Sequence, residues 1–116
     1  MLPKDIIVGI VGPSKSGKST LKTGLEEKGY TVKHIAQEHS FAPSMWRTIA
    51  RPDILIYLDV SFDQTLLRGL PNWNEAEFEE ELVRLAHARK NADLYINSNT
   101  LSREEVFGKA LEFINL

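Results

Sequence analysis

The sequence contains no cysteine. A chain without thiols cannot form disulfides, bind a metal through thiolates or use a cysteine nucleophile, and the absence fits a reducing compartment. We expect the first strand to begin at about Ile6, which leaves no room for a signal peptide. No apolar run reaches the roughly 18 residues that a membrane span needs. The protein is therefore expected in the cytoplasm, with no membrane partner.

Neither sign of charge dominates the chain. Its 116 residues include 14 Lys or Arg and 16 Asp or Glu, which gives a formal net charge of −2. This balance offers no general basic surface for nucleic acid or anionic lipid, so a nucleic-acid partner is not expected. With 42% apolar residues and no low-complexity tract, residues 1–116 are expected to fold as a single domain.

A short turn rich in glycine, lysine and serine stands out near the start of the chain. It fits the pattern G-x-x-x-x-G-K-[ST], followed by one further hydroxyl residue. Its residues are Gly12, Pro13, Ser14, Lys15, Ser16, Gly17, Lys18, Ser19 and Thr20. An apolar segment at 6–11 precedes it, and a helix-forming segment at 18–28 follows it. A strand, a turn and a helix N-terminus in this order form a cradle of backbone N–H groups for a phosphate.

The pattern predicts a site for a nucleoside triphosphate, which we take to be ATP, bound by residues 12–20. Gly12 and Gly17 allow the backbone to approach phosphate oxygens closely. Lys18 is expected to reach the β- and γ-phosphates, and the Ser19 hydroxyl is expected to ligate Mg²⁺. The alternative is a glycine-bounded turn between a strand and a helix that binds no ligand.

Predicted strands and helices alternate along the rest of the chain. Runs of β-forming or apolar residues predict strands at about 6–11, 30–36, 53–60 and 94–97. Helical periodicity and capping residues predict helices at about 17–27, 44–50, 61–67 and 75–91, and from 102 onward. The alternation predicts an α/β fold of three layers, with a small, mostly parallel sheet of about four strands in the order 2-1-3-4. This order places the glycine-bounded turn at the carboxyl end of a central strand, where ligands of such sheets bind.

Two of the predicted helices carry specific signals. On the helix at 75–91, five residues recur at helical spacing: Phe78, Leu82, Leu85, Ala86 and Arg89. At the start of the last helix, Ser102 and Glu105 predict a capping box, and Leu101 and Val106 predict the hydrophobic contact that accompanies it.

Three segments resemble P-loop kinases of the nucleoside and nucleotide kinase group, which includes adenylate, thymidylate and dephospho-coenzyme A kinases. They are residues 12–20, 52–61, and 92–99 with the helix that follows. The resemblance implies a P-loop NTPase fold, phosphoryl transfer as the activity, and ATP and Mg²⁺ as cofactors. It also implies that Asn97 and Asn99 lie near the adenine and that Arg68 belongs to a lid over the phosphates. The form is shortened, because only residues 68–74, Pro71 among them, remain for the lid, and no Asp-Arg pair marks an acceptor site.

Further candidate residues come from the expected carboxyl edge of the sheet. Glu38, His39, Trp46 and Arg47 follow the second predicted strand and are expected to bind the acceptor, with Glu38 able to take a proton from its hydroxyl. The alternatives are a solvated loop for Glu38 and His39 and a core aromatic for Trp46. Asp59 ends the third predicted strand and is expected to help Ser19 hold the metal; the alternative is a helix cap.

We therefore expect a small ATP-dependent phosphotransferase acting on a small-molecule acceptor, with Lys18, Glu38 and Arg68 as catalytic residues. For Arg68 the alternative is a cation that complements a helix dipole. The alternative for the whole protein is a nucleotide-binding or regulatory ATPase module without an acceptor. In that case a protein partner or a second copy of the chain completes the site. His34 and His87 are expected to be structural.

Overall fold

The computed structural model describes residues 6–70 and 72–115. Within these residues, parallel strands form one sheet: β1 Ile7–Val11, β2 Thr31–His34, β3 Ile54–Asp59 and β4 Leu94–Asn97. The strand order is β2-β1-β3-β4, and each neighbouring pair is parallel. The predicted order is confirmed, and the sheet is parallel throughout. Pro71 of the predicted lid lies outside the described residues.

Each predicted helix is present, and its ends agree within one residue. The helices are α1 Lys18–Glu27, α2 Met45–Ala50, α3 Phe62–Leu67, α4 Glu75–Asn91 and α5 Arg103–Ile114. The segment after β2 differs from the prediction, because the strand ends at His34 instead of continuing to Ala36. Ala36 leaves the extended conformation (φ −81°, ψ 50°), and Gln37–His39 then form a 3₁₀ turn.

The sheet is buried on both faces by helices. Since successive strand residues point to opposite faces, Ile56 and Leu58 face one layer while Leu55 and Tyr57 face the other. The first layer is formed by α1 and α5 through Leu21, Leu25, Val106, Ala110 and Ile114. The second is formed by α2 and α4 through Trp46, Ala50, Leu85 and Ala88. Full burial of one such large side chain contributes roughly 1.5–3 kcal/mol to stability. Because both faces of the sheet are buried, the sequences of the central strands are continuous apolar runs.

The two long helices that follow β3 and β4 both begin with a capping box. At α4, the Glu77 amide donates to the Asn74 side chain at 2.9 Å, and the Asn74 amide donates to the Glu77 carboxylate at 3.1 Å. At α5, the predicted box of Ser102 and Glu105 is confirmed, with the equivalent distances of 3.1 and 2.9 Å. Among residues 6–70 and 72–115, no helix combines the length and the apolarity that crossing a bilayer requires.

The buried face of α4 differs from the set predicted by helical spacing. Its buried residues are Phe78, Glu81, Leu85 and Ala88. Ala86 and Arg89 are exposed instead. The spacing of three, four and three residues along the buried stripe turns the Glu81 carboxylate toward the interior. This orientation brings Glu81 to the turn between β1 and α1.

Candidate functional site

The turn between β1 and α1, residues 12–17, needs glycine at two positions for two different reasons. Gly17 has φ 102°, a left-handed conformation that side chains resist, although open space surrounds it. At Gly12 the reason is space, because a Cβ there would overlap the carbonyl oxygen of Leu58 on β3. Lys15 also adopts a left-handed conformation, with φ 64°. The backbone of this segment, which we call the glycine turn, is therefore tightly curved.

Lys18, the first residue of α1, is 6% exposed and points back into the glycine turn. Its ammonium nitrogen lies 2.6 Å from the carbonyl oxygen of Gly12 and 3.0 Å from that of Pro13. It also lies 2.7 Å from the carboxylate Oε2 of Glu38. A lysine ammonium has three N–H donors, so these three acceptors satisfy it completely.

Glu38 is buried, with 5% of its surface exposed, so the alternative of a solvated loop is wrong for this residue. Its second carboxylate oxygen, Oε1, has no hydrogen-bond partner among the described residues. The neighbouring Gln37 fixes the 3₁₀ turn, since its side chain donates to the carbonyl of Ala42 at 2.9 Å and accepts from the amide of Trp46 at 2.9 Å. The 3₁₀ turn therefore places the Glu38 carboxylate beside Lys18.

A cavity of about 980 Å³ opens at the glycine turn, and we call it the α1 cavity. It falls within the size range of small-molecule sites. The predicted phosphate-binding residues 14–20 line it, together with Glu38, Arg68 and Ser98. Apolar side chains from the start of α5 and the residue before it, Leu101, Val106 and Phe107, also line it. The α1 cavity therefore has both polar, cationic and apolar lining residues.

The glycine turn is anchored by Glu81 of α4, a contact that the sequence analysis missed. Glu81 is 5% exposed. Its carboxylate accepts from the Ser14 amide at 2.9 Å and from the Ser14 hydroxyl at 2.8 Å. The helical stripe that Glu81 shares with Phe78 and Leu85 could have indicated its burial, but not Ser14 as its partner.

Arg68 follows α3 and links the glycine turn to the loop after β4. Its guanidinium donates to the Lys15 carbonyl at 2.8 Å, and to the Ser98 hydroxyl at 3.1 Å and carbonyl at 2.6 Å. Arg68 thus lines the α1 cavity while its donors hold the backbone on both sides of it. Arg68 therefore makes specific hydrogen bonds to two other segments, in addition to any interaction with the dipole of α3.

The expected acceptor-binding set is not assembled in the α1 cavity, because only Glu38 of its four residues lines it. Trp46 is 5% exposed and packs in the core between the sheet and α4, as its alternative interpretation held. Its indole N–H donates to Nδ1 of His87 at 3.0 Å. The Arg47 guanidinium lies 5.1 Å from the centre of the Trp46 ring. The His39 side chain is 65% exposed.

Asp59, Asn97 and Asn99 are absent from the lining of the α1 cavity, although Ser98, which stands between the two asparagines, is part of it. Asp59 accepts a hydrogen bond from the Tyr95 hydroxyl and lies 3.9 Å from Arg89. Asn99 caps a backbone amide at Ser61, at 2.8 Å, and Asn97 accepts from the Asn99 amide at 2.9 Å. Their roles toward a metal and an adenine stay predictions. In residues 6–70 and 72–115, no group of three or more His, Asp or Glu side chains is placed to hold a metal.

His34 lines the α1 cavity at the end of β2, although it was expected to be structural. Although His34 is exposed at the surface, partial desolvation of its ring, followed by the positive charge of Lys18, lowers its pKa below the ordinary value of 6.5. The imidazole is therefore neutral at pH 7. A single histidine in a strand gave no signal that its pKa would respond to the charges of a lysine and a glutamate from two other elements.

The chain was also compared with known proteins. No protein-family model matches it, and no curated protein matches it.

Proposed function

We propose that this protein binds a nucleoside triphosphate in the α1 cavity and transfers its terminal phosphoryl group to a small acceptor. One observation carries the proposal: the glycine turn and the first turn of α1 line a cavity into which the Lys18 ammonium is folded. Backbone N–H groups at a helix N-terminus favour phosphate, and Lys18 adds a full positive charge beside them.

The charges around the α1 cavity support an anionic ligand. Its lining includes five cationic side chains, Lys15, Lys18, Lys28, Arg68 and Arg103, and three carboxylates, Glu27, Glu38 and Glu104. Two polar side-chain atoms of the lining, Ser16 Oγ and Glu38 Oε1, are buried without a hydrogen-bond partner among the described residues. Buried polar atoms are normally paired, so a bound ligand is the natural partner for them.

The residues present also fit a magnesium ion that arrives with the nucleotide. Ser19 lines the α1 cavity on the first turn of α1, beside Lys18. Mg²⁺ needs few protein ligands, since phosphate oxygens and water complete its shell. Asp59, the carboxylate expected to help hold the ion, does not line the cavity, so Ser19 is the protein ligand that we assign to it. The ion would neutralise negative charge on the phosphates during transfer.

Glu38 is also the base that we assign to the acceptor hydroxyl. One of its oxygens pairs with Lys18 and the other is unpartnered, so a phosphate that attracts Lys18 leaves the carboxylate free to accept a proton. Arg68 then has a positioning role, because it holds the glycine turn through the Lys15 carbonyl.

The test is ADP production from ATP and Mg²⁺ with a panel of alcohols, nucleosides and phosphorylated metabolites. At least one acceptor should raise turnover above the basal rate, and Lys18→Ala should abolish the increase. Lys109→Ala, which removes an exposed lysine of α5, is the matched control and should behave as the parent. A full panel without any increase would contradict phosphoryl transfer to a small acceptor.

A second candidate function is a nucleotide-binding or regulatory module without an acceptor. It is favoured by the positions of His39, Trp46 and Arg47 outside the α1 cavity, since three of the four residues expected to bind the acceptor do not line it. In this case a protein partner or a second copy of the chain completes the site. Light scattering with and without ATP tests it: a nucleotide-dependent change of mass supports the module, and an unchanged monomer with robust acceptor turnover excludes it.

A further inference from the structure

A second cavity, of about 380 Å³, lies beside α4 and shares no lining residue with the α1 cavity. It is lined by Tyr57 of β3 and by Leu82, Ala86, Arg89 and Lys90 of α4. The four helical residues are spaced at i, i+4, i+7 and i+8 and therefore form one flank of the helix. We call this space the α4 cavity.

The hydroxyl of Tyr57 is the unusual group at the α4 cavity. The residue is fully buried, and its ring lies parallel to that of Tyr95 with centres 5.9 Å apart. Its hydroxyl has no hydrogen-bond partner among the described residues. Burial raises the pKa of Tyr57 well above its ordinary value, with a further contribution from Asp59. The phenol therefore keeps its proton at neutral pH and is available as a donor.

Positive charge lies near the rings of Tyr57 and Tyr95. The Arg89 guanidinium is 6.0 Å from the centre of the Tyr57 ring and 5.3 Å from that of Tyr95. Asp59 is 3.9 Å from Arg89, beyond hydrogen-bond distance, and it already accepts from the Tyr95 hydroxyl. Lys90 adds a second cation to the lining. The lining thus contains two cations, Arg89 and Lys90, and one neutral donor, the Tyr57 hydroxyl. The nearby carboxylate of Asp59 already accepts a hydrogen bond from Tyr95.

We propose that the α4 cavity binds a small organic carboxylate, with the anion accepting hydrogen bonds from Tyr57 and Arg89. A planar guanidinium matches the two oxygens of a carboxylate, and the Leu82 and Ala86 walls suit an apolar body attached to it. The site is independent of the function proposed for the α1 cavity, because none of its residues lines that cavity.

Benzoate is a suitable probe, and backbone amide NMR of the ¹⁵N-labelled protein at pH 7 is a suitable readout. We expect saturable shifts at residues 82–90 and around Tyr57. Benzamide, which has the same shape without the charge, should bind about tenfold more weakly, as expected for the loss of a charge-assisted hydrogen bond.

Two variants test the assigned donors. Arg89→Gln and Tyr57→Phe should each weaken benzoate binding about tenfold. Tyr57→Phe removes only an unpartnered hydroxyl, so the spectrum should otherwise keep its dispersion. Lys109→Gln removes the same charge as Arg89→Gln from α5, on the other face of the sheet, and should leave binding unchanged.

The proposal is overturned by any of three results. The first is an absence of saturable shifts up to the solubility limit of benzoate. The second is equal binding of benzamide and benzoate, and the third is Arg89→Gln binding as tightly as the parent.

Discussion

The ammonium of Lys18 and the carboxylate of Glu38 form a buried ion pair 2.7 Å long, and both side chains are 6% exposed. A triphosphate that enters the α1 cavity must therefore compete with Glu38 for Lys18. If the phosphate replaces Glu38 as the partner of Lys18, the Glu38 carboxylate is left buried without a counter-charge. This cost reduces the affinity for the triphosphate. We therefore expect Glu38 to weaken the proposed nucleotide binding in the free protein while supplying the base for the proposed reaction.

Glu38→Gln is expected to tighten ATP binding about tenfold, or about 1.4 kcal/mol, because it removes the competing charge. Calorimetry with ATP in the absence of Mg²⁺ isolates the phosphate contact from any effect on the metal. Acceptor-dependent turnover should fall in the same variant, since an amide cannot serve as the base. Glu79→Gln, at an exposed position of α4, is the control for net charge. Weaker ATP binding by Glu38→Gln would contradict the competition.

Glu81→Gln is expected to lower the free energy of unfolding by about 1–3 kcal/mol, because the charged acceptor of two Ser14 hydrogen bonds is lost from a buried position. Glu80→Gln is a matched control one residue away, since the Glu80 side chain is 68% exposed. Its effect should stay within about 0.5 kcal/mol. Urea unfolding measures the stability of both variants. Equal unfolding midpoints for Glu81→Gln and Glu80→Gln would show that Glu81 does not anchor the glycine turn.

Arg68→Lys should weaken ATP binding nearly as much as Arg68→Ala. A lysine keeps the charge but cannot span the Lys15 carbonyl and Ser98 as the guanidinium does. Titration with a fluorescent ATP analogue compares the two variants, with Arg47→Lys, outside the α1 cavity, as the control. If Arg68→Lys binds as the parent does, Arg68 acts as a point charge on the phosphate and not as a positioning residue.

The pKa of His34 should rise when ATP binds, because the polyphosphate offsets the positive charge of Lys18. By linkage, ATP affinity should increase as the pH falls from 7 through this pKa. In the free protein the lowered pKa has the opposite consequence: the unfolded chain binds more protons just below pH 6.5, so stability falls on acidification there.

NMR titration of the His34 ring with and without ATP measures the change. The His87 ring, which accepts from the Trp46 indole, is an internal reference whose resonances should not respond to ATP. An identical His34 titration curve in both samples would place the triphosphate away from β2.

The fold was predictable because local patterns agreed with it. The apolar run at 53–60 indicated a strand buried on both faces, and Ser102 with Glu105 marked the start of α5. The two glycines and Lys18 followed from the motif. The rest of the site depended on contacts between distant elements. Glu81 meets Ser14 across 67 positions, and the spacing of charges along the chain does not encode such a contact.

The acceptor prediction shows the same limit in the opposite direction. Polar and aromatic residues close together in sequence suggested one pocket, but Gln37 bonds to the Trp46 amide and fixes the turn between them. The Trp46 indole is buried in the core, whereas Glu38 lines the α1 cavity. Because Glu38 and Trp46 are close in sequence, they were expected to line one pocket. The geometry of the turn between them instead places only Glu38 in the α1 cavity.

The two glycines of the turn differ in what a substitution would disturb. At Gly12 any side chain meets the β3 backbone, so alanine there would push apart the two central strands and both helical layers packed on them. A descendant of this chain that did not bind the proposed ligand would still need that glycine in order to fold. Gly17 faces open space, and its replacement would strain only the entry to α1. Of the pair, Gly17 is the position whose substitution tests the proposed ligand binding, whereas substitution of Gly12 tests the integrity of the sheet.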